Sequence, residues 1–86
     1  MWMIELSFAP AGERLAARPA HRVRLTELHG KGVVKAAGPF ADDSGALILL
    51  DVPDRAAVDD VIGADPYFRT EGVTIAAIRE WSPILT

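Results

Sequence analysis

The chain has 86 residues, no cysteine and a formal net charge of −3 at pH 7. This length makes one small domain, so we treat residues 1–86 as a single unit. Without cysteine the chain has no disulfide, no thiolate nucleophile and no cysteine-ligated zinc. The negative charge excludes a general attraction to nucleic acids or anionic membranes. Because no apolar run approaches a membrane span and no secretion signal is recognisable, we expect a cytoplasmic protein.

The first two predicted elements are a strand and a helix. Apolar side chains recur at every second position of residues 2–8, which is the period of a strand. Residues 13–18 are ambiguous between an irregular segment and an extra helical turn. Pro19 favours a helix that starts there, because proline is tolerated best in a first turn. Gly30 and Gly32 predict the end of this helix.

His21 lies on the apolar face of the first predicted helix. Leu25 and Leu28 follow it by four and seven residues, so the three side chains share one face. With a helix start at Pro19, His21 would lie one turn from the positive helix end. A histidine in such a place is most often a hydrogen-bonded core residue, so a functional role requires a partner elsewhere in the chain.

The rest of the chain predicts a hairpin, a second helix and a last strand. In order, these are strands at 33–37 and 46–51 joined by a turn at 42–45, a helix that Pro53 and Asp54 open, and a strand at 73–81. Asp65 ends the second helix, because the following Pro66 disfavours helical geometry for it.

The order β-α-β-β-α-β is that of the α+β ferredoxin-like architecture, a four-stranded antiparallel sheet with two helices on one face. The third and last predicted strands are apolar at consecutive positions, so both faces of the sheet should be apolar there. A bare apolar face is a liability in a monomer. We therefore predict a homodimer through the helix-free sheet face.

Asp65 is the candidate partner for His21. Its charge would meet the negative end of the second helix dipole, which is an unfavourable place for a carboxylate. Asp-Pro is a common turn opener, and this alone accounts for the pair of residues. However, the two helices of this architecture lie side by side on one sheet face, which could bring Asp65 to His21.

Three short motifs occur in order: R-P-A-H at residues 18–21, G-P at 38–39 and D-P-Y at 65–67. Together they resemble the YCII-related family, and the resemblance extends from Arg18 to Trp81. It implies ferredoxin-like protomers that form a dimeric α+β barrel. It also implies a histidine–aspartate active centre, at the matching positions His21 and Asp65. One branch of the family removes chloride from a chlorinated hydroxyquinol, and most members have no assigned substrate.

A carboxylate fixes the tautomer of an imidazole and stabilises the imidazolium, while the other ring nitrogen moves protons. We therefore expect a cofactor-independent enzyme of lyase or isomerase type, acting by elimination or isomerisation on a small organic substrate, anionic or aromatic. With two histidines and no cysteine, we expect no metal site. The alternatives are a non-catalytic module of the same fold that binds a small molecule or a protein, and a purely structural dimer.

Substrate contacts are predicted around His21. Four arginines crowd this part of the chain, at positions 14, 18, 22 and 24, and a solvated helix face would account for them. Arg18 is the candidate for gripping an anionic substrate. Tyr67 and Phe40 are candidates for lining an apolar pocket, although buried aromatic residues more often belong to the core.

Overall fold

The structure is a computed structural model that describes residues 1–10 and 12–86. Its elements are β1 (Trp2–Phe8), α1 (Gly12–Gly30), β2 (Val34–Pro39), β3 (Gly45–Leu50), α2 (Arg55–Gly63), a 3₁₀ helix (Pro66–Arg69) and β4 (Val73–Glu80). The predicted order of strands and helices is confirmed. The 3₁₀ helix lies in the segment that the sequence predicts only as a connector.

The four strands form one sheet in the order β2-β3-β1-β4, and all neighbouring strands are antiparallel. This is the ferredoxin-like α+β topology that the sequence predicts. β1 and β3 occupy the centre, and their side chains at Ile4 and Ile48 are almost completely buried. Leu28 of α1 and Val58 of α2 belong to the same hydrophobic cluster, so both helices cover the same sheet face.

α1 begins at Gly12, so the predicted helix start at Pro19 is wrong. Pro19 lies inside the helix, where it has no N–H to donate to the carbonyl of Leu15. The two helical turns before Pro19 carry Arg14, whose guanidinium carbon lies 4.1 Å from the centre of the Phe8 ring. This packing holds the first turns against the sheet and opposes the disruption that proline introduces. His21 therefore lies in the middle of α1 rather than near its positive end.

The helix-free sheet face is less apolar than the sequence predicts, because β4 contains a bulge. The register of β1 with β4 shifts between Glu5 and Leu6, so that Ile75 is opposite Leu6 and Ile78 is opposite Ile4. Residues directly opposite each other share a face, and both isoleucines therefore face the helices. The helix-free face keeps a smaller apolar group, with two charged neighbours, at Met3, Leu47, Leu49, Ala77, Glu5 and Arg79.

No helix in the described part of the chain is long and apolar enough to cross a lipid bilayer.

The sheet is closely packed at the start of β3. A side chain at Gly45 would overlap the carbonyl oxygen of Leu6 on β1. Glycine is therefore the residue that lets the β2–β3 turn approach the centre of the sheet.

Candidate functional site

The side chains of His21 and Asp65 are in direct contact. Nδ1 of His21 lies 2.6 Å from Oδ2 of Asp65, and each side chain is only 7% exposed. An N···O distance this short, in a buried setting, is typical of a charge-assisted hydrogen bond. The two residues are 44 positions apart in sequence, so the fold brings them together rather than local geometry.

Asp65 is positioned by its own backbone and by the 3₁₀ helix that follows it. It is the N-cap of that helix, with the extended conformation expected before a proline (φ −122°, ψ 110°). Its Oδ1 accepts the backbone N–H of Tyr67 at 3.0 Å. α2 ends at Gly63, so the carboxylate caps a new helix instead of opposing the end of α2. Each carboxylate oxygen therefore has a hydrogen-bond donor.

Two aromatic rings fix the plane of the His21 imidazole. Tyr67 stacks on it with ring centres 3.9 Å apart and an angle of 8° between the planes. Phe68 meets it edge to face, with centres 5.6 Å apart. Tyr67 and Phe68 belong to the helix that Asp65 caps, so one short element holds both the imidazole plane and its carboxylate.

The second ring nitrogen of His21, Nε2, is the ring atom available to a ligand. An ionised carboxylate only accepts hydrogen bonds, so Nδ1 carries the proton and Nε2 of the neutral ring is an acceptor. Nε2 makes no hydrogen bond to any residue at positions 1–10 or 12–86. Nε2 is not fully buried either, because Nε of Arg14 is the one fully buried side-chain nitrogen or oxygen without a hydrogen bond among the described residues. His21 borders both this cavity and a smaller pocket of about 200 Å³, whereas Asp65 borders the smaller pocket alone. Since Nε2 lies across the ring from the nitrogen that contacts Asp65, we infer that it is directed toward the large cavity.

The cavity lies between α1 and the β2–β3 hairpin and has a volume of about 580 Å³, which is within the range of small-molecule sites. Arg18 and Tyr67, two of the three predicted substrate contacts, are among the residues that line it. Phe40 does not line it, because β2 continues to Pro39 and leaves Phe40 in the turn beside Gly45. Phe8 of β1 is the phenylalanine that contributes to the cavity wall.

Arg14 also lines the cavity and is buried, whereas the sequence predicts it only as part of a solvated helix face. Its side chain is 9% exposed, and its Nη2 lies 3.3 Å from Oδ2 of Asp43. Arg14 precedes His21 by seven residues, which places both on the same helix face. Extending the predicted helix back through Pro19 would have indicated this position.

The charges around the cavity are unbalanced. Three arginines line it, at positions 14, 18 and 22, and Asp43 is the single acidic residue in its lining. This arrangement favours an anionic ligand. Residues 1–10 and 12–86 contain no group of three or more His, Asp or Glu side chains that could hold a metal ion.

The turn that carries Asp43 is itself fixed by hydrogen bonds. The hydroxyl of Ser44 donates to Oδ1 of Asp42 at 2.6 Å, and the N–H of Ser44 donates to the same atom at 3.0 Å. Both hydrogen bonds hold the pKa of Asp42 below its usual value, and the bond from the hydroxyl has the larger effect. Asp43 has a positive φ of 58°, a conformation that aspartate and asparagine tolerate better than most residues.

Comparison with known proteins identifies the domain. A family model described as the YCII-related domain matches residues 1–82. Among solved structures, the fold is similar to 5-chloro-2-hydroxyhydroquinone dehydrochlorinase (TftG) from Burkholderia phenoliruptrix AC1100, in complex with 2,5-dihydroxybenzoquinone. The TM-score is 0.62 at 15% sequence identity, over 95% of this chain and 94% of that chain. No curated protein sequence matches this chain significantly.

We expect Asp65→Ala to destabilise the protein by about 2–5 kcal/mol, because it leaves a buried N–H of His21 and a buried N–H of Tyr67 without acceptors. Asp54→Ala is the matched control. Asp54 is also an N-cap, but its Oδ1 accepts only the exposed N–H of Ala57, so its loss should cost about 1 kcal/mol. Urea denaturation of both variants measures the difference. An equal cost for both would mean that the buried contact contributes nothing beyond an ordinary helix cap.

Proposed function

Since the chain belongs to the YCII-related domain family, we propose that it is a cofactor-independent enzyme in which His21 and Asp65 perform acid–base chemistry on a small aromatic, anionic substrate. The observation that carries the proposal is the buried 2.6 Å contact between the two side chains, beside a cavity of about 580 Å³ that His21 lines. Proton transfer by elimination or isomerisation is the reaction type that this apparatus suits.

The two residues have separate tasks in the proposed reaction. Asp65 holds the Nδ1 proton and so keeps Nε2 of His21 unprotonated and directed to the substrate. Nε2 removes a proton from the substrate, and the electron pair of that bond forms a new double bond. The leaving group departs with its own bonding electrons, while the Asp65 carboxylate stabilises the resulting imidazolium. In an isomerisation the same proton returns to another atom of the substrate.

The surroundings of His21 support this role over that of a core histidine. The stacked Tyr67 ring and the edge of Phe68 fix the orientation of the imidazole before any ligand arrives, which lowers the cost of positioning. Arg18 lies one helical turn from His21 and lines the same cavity. Its guanidinium can stabilise the negative charge that develops on a substrate oxygen when a proton is removed.

Dehydrochlorination is the elimination to test first, because the structural neighbour TftG is named for that reaction on a chlorinated trihydroxybenzene. Loss of a proton and of chloride from such a ring is a balanced elimination that requires no redox cofactor. The wider substrate class can be searched by measuring the thermal stabilisation of the protein with a panel of small phenols and keto acids. A cofactor-free, metal-free enzyme and a cytoplasmic location stay predictions.

We expect His21→Ala to lower the rate of chloride release from 5-chloro-2-hydroxyhydroquinone, or from the best substrate of the panel, by about 10²–10⁴-fold, the usual contribution of a general acid or base. Asp54→Asn, at the N-cap of α2 and outside the cavity lining, is the control and should keep the wild-type rate. A binding module would instead bind the compound and show no turnover in any form. Normal turnover by His21→Ala would remove the acid–base role.

We also propose that two copies of the chain associate through the helix-free sheet face. Leu47 and Leu49 on β3 are only partly covered within the protomer, and Met3 and Ala77 extend the same apolar surface on the neighbouring strands. Glu5 and Arg79 lie on this face and carry opposite charges, so a two-fold arrangement could pair them across the interface. Such an arrangement would bury the apolar strip between two sheets.

Leu47→Arg tests the dimer, because Leu47 is on the helix-free face whereas its neighbour Ile48 is in the core. We expect sedimentation velocity at micromolar concentration to give a dimer for the wild type and a monomer for Leu47→Arg. Val23→Arg places the same charge on an exposed position of α1, where the side chain is 60% exposed, and should leave the dimer intact. A wild-type monomer near 9.3 kDa would contradict the proposal.

A further inference from the structure

Arg14 is an unusual residue for the wall of a cavity. A guanidinium has five N–H donors and is buried only when its charge and donors are matched by partners. Only 7% of the surface of Arg14 is exposed. Its contacts within the described residues are the face of the Phe8 ring and one carboxylate oxygen of Asp43. Its Nε is fully buried and has no hydrogen-bond partner among residues 1–10 and 12–86.

Asp43 is a weak partner for so buried a charge. Its side chain is 57% exposed, and its single contact with Nη2 of Arg14 is 3.3 Å long. Exposed carboxylates lose little when a contact of this kind breaks, because water solvates them. Arg14 cannot be solvated in the same way. The contact therefore stabilises Arg14 more than it stabilises Asp43. An anion that is better placed in the cavity would stabilise the guanidinium further.

We infer that Arg14 is the anion-binding subsite of the cavity, that Asp43 occupies it in the free protein, and that a phenolate or carboxylate of the substrate displaces Asp43. This inference rests on the proposed function and assigns its substrate class, a planar ring that carries an ionised oxygen. Arg14 lines the cavity, so an anion there can give the guanidinium a closer and less solvated partner than the exposed carboxylate of Asp43.

The position of Arg14 relative to His21 fits a ring of this size. The two residues are seven positions apart on α1, which is about 10 Å along a helix axis. Both side chains line the same cavity, where Arg14 packs on Phe8 and His21 packs on Tyr67. A six-membered ring can therefore hold its anionic oxygen at Arg14 and present another edge to Nε2 of His21.

Two variants with opposite expected effects test the inference. The probe is 2,5-dihydroxybenzoquinone, an acidic planar ring, and hydroquinone is the uncharged control; both are titrated calorimetrically at neutral pH. Arg14→Gln should weaken binding of the anionic probe by about 10- to 100-fold, the effect of losing a charge-assisted contact. Asp43→Asn removes the competing carboxylate and should tighten binding by roughly 3- to 10-fold, since asparagine keeps the positive-φ turn. Hydroquinone should respond to neither substitution.

The exposed pair of Arg55 and Asp59 on α2 supplies the matched controls, because its atoms are 3.1 Å apart and neither residue lines the cavity. Arg55→Gln and Asp59→Asn should leave the affinity of the probe unchanged. If Arg14→Gln fails to fold, Asp43→Asn alone decides the question. Unchanged or weaker binding by Asp43→Asn would overturn the inference, and so would the absence of probe binding to the wild type at millimolar concentration.

These outcomes are separate from those of the proposed function. Binding that follows the two variants as expected, with no turnover of any compound, would retain the anion subsite and overturn the acid–base reaction. Turnover that depends on His21, with probe affinity unaltered by both Arg14→Gln and Asp43→Asn, would retain the reaction and overturn the subsite.

Discussion

The contact between Nδ1 of His21 and Oδ2 of Asp65 imposes the strictest constraint on this structure. A carboxylate that is 7% exposed must have partners, because an unpaired charge in the interior is far more costly than any contact it displaces. Asp65 finds one in the imidazole and another in the N–H of Tyr67. Both partners must be present at once, so α1 and the 3₁₀ helix have one acceptable relative position.

The face of α1 that carries His21 also forms one wall of the cavity. His21 lines the cavity, and Arg14 contributes a buried positive charge two turns earlier on the same helix face. The hairpin of β2 and β3 supplies the opposite wall and, through its turn, the carboxylate of Asp43. The proton acceptor and the charge anchor that we propose thus lie on one helix, which favours a fixed distance between them.

Much of the architecture could be predicted from the sequence because it follows local patterns. Alternation over residues 2–8, turn residues at 42–45 and the capping residue Asp54 each determine their element without distant contacts. The start of α1 could not be predicted in this way. Pro19 is a helix breaker by local preference, and what overrides it is the tertiary packing of Arg14 on Phe8.

The same distinction applies to the site. The motif residues His21 and Asp65 can be named from the sequence, but their contact spans 44 positions and depends on a 3₁₀ helix with no sequence period of its own. The bulge between β1 and β4, which turns Ile78 toward the helices, likewise has no local signal. The burial of Arg14 has no local signal either, because its position on the helix face depends on the turns before Pro19.

The central claim, that Asp65 holds His21 with Nε2 open to the cavity, is tested most directly by the nitrogen NMR spectrum of the imidazole. With the ring neutral, we expect a single tautomer that carries its proton on Nδ1. This proton should be hydrogen-bonded and slow to exchange, and the Nε2 resonance should be typical of an unprotonated acceptor. A proton on Nε2, or rapid averaging of the two tautomers as in a free histidine, would contradict it.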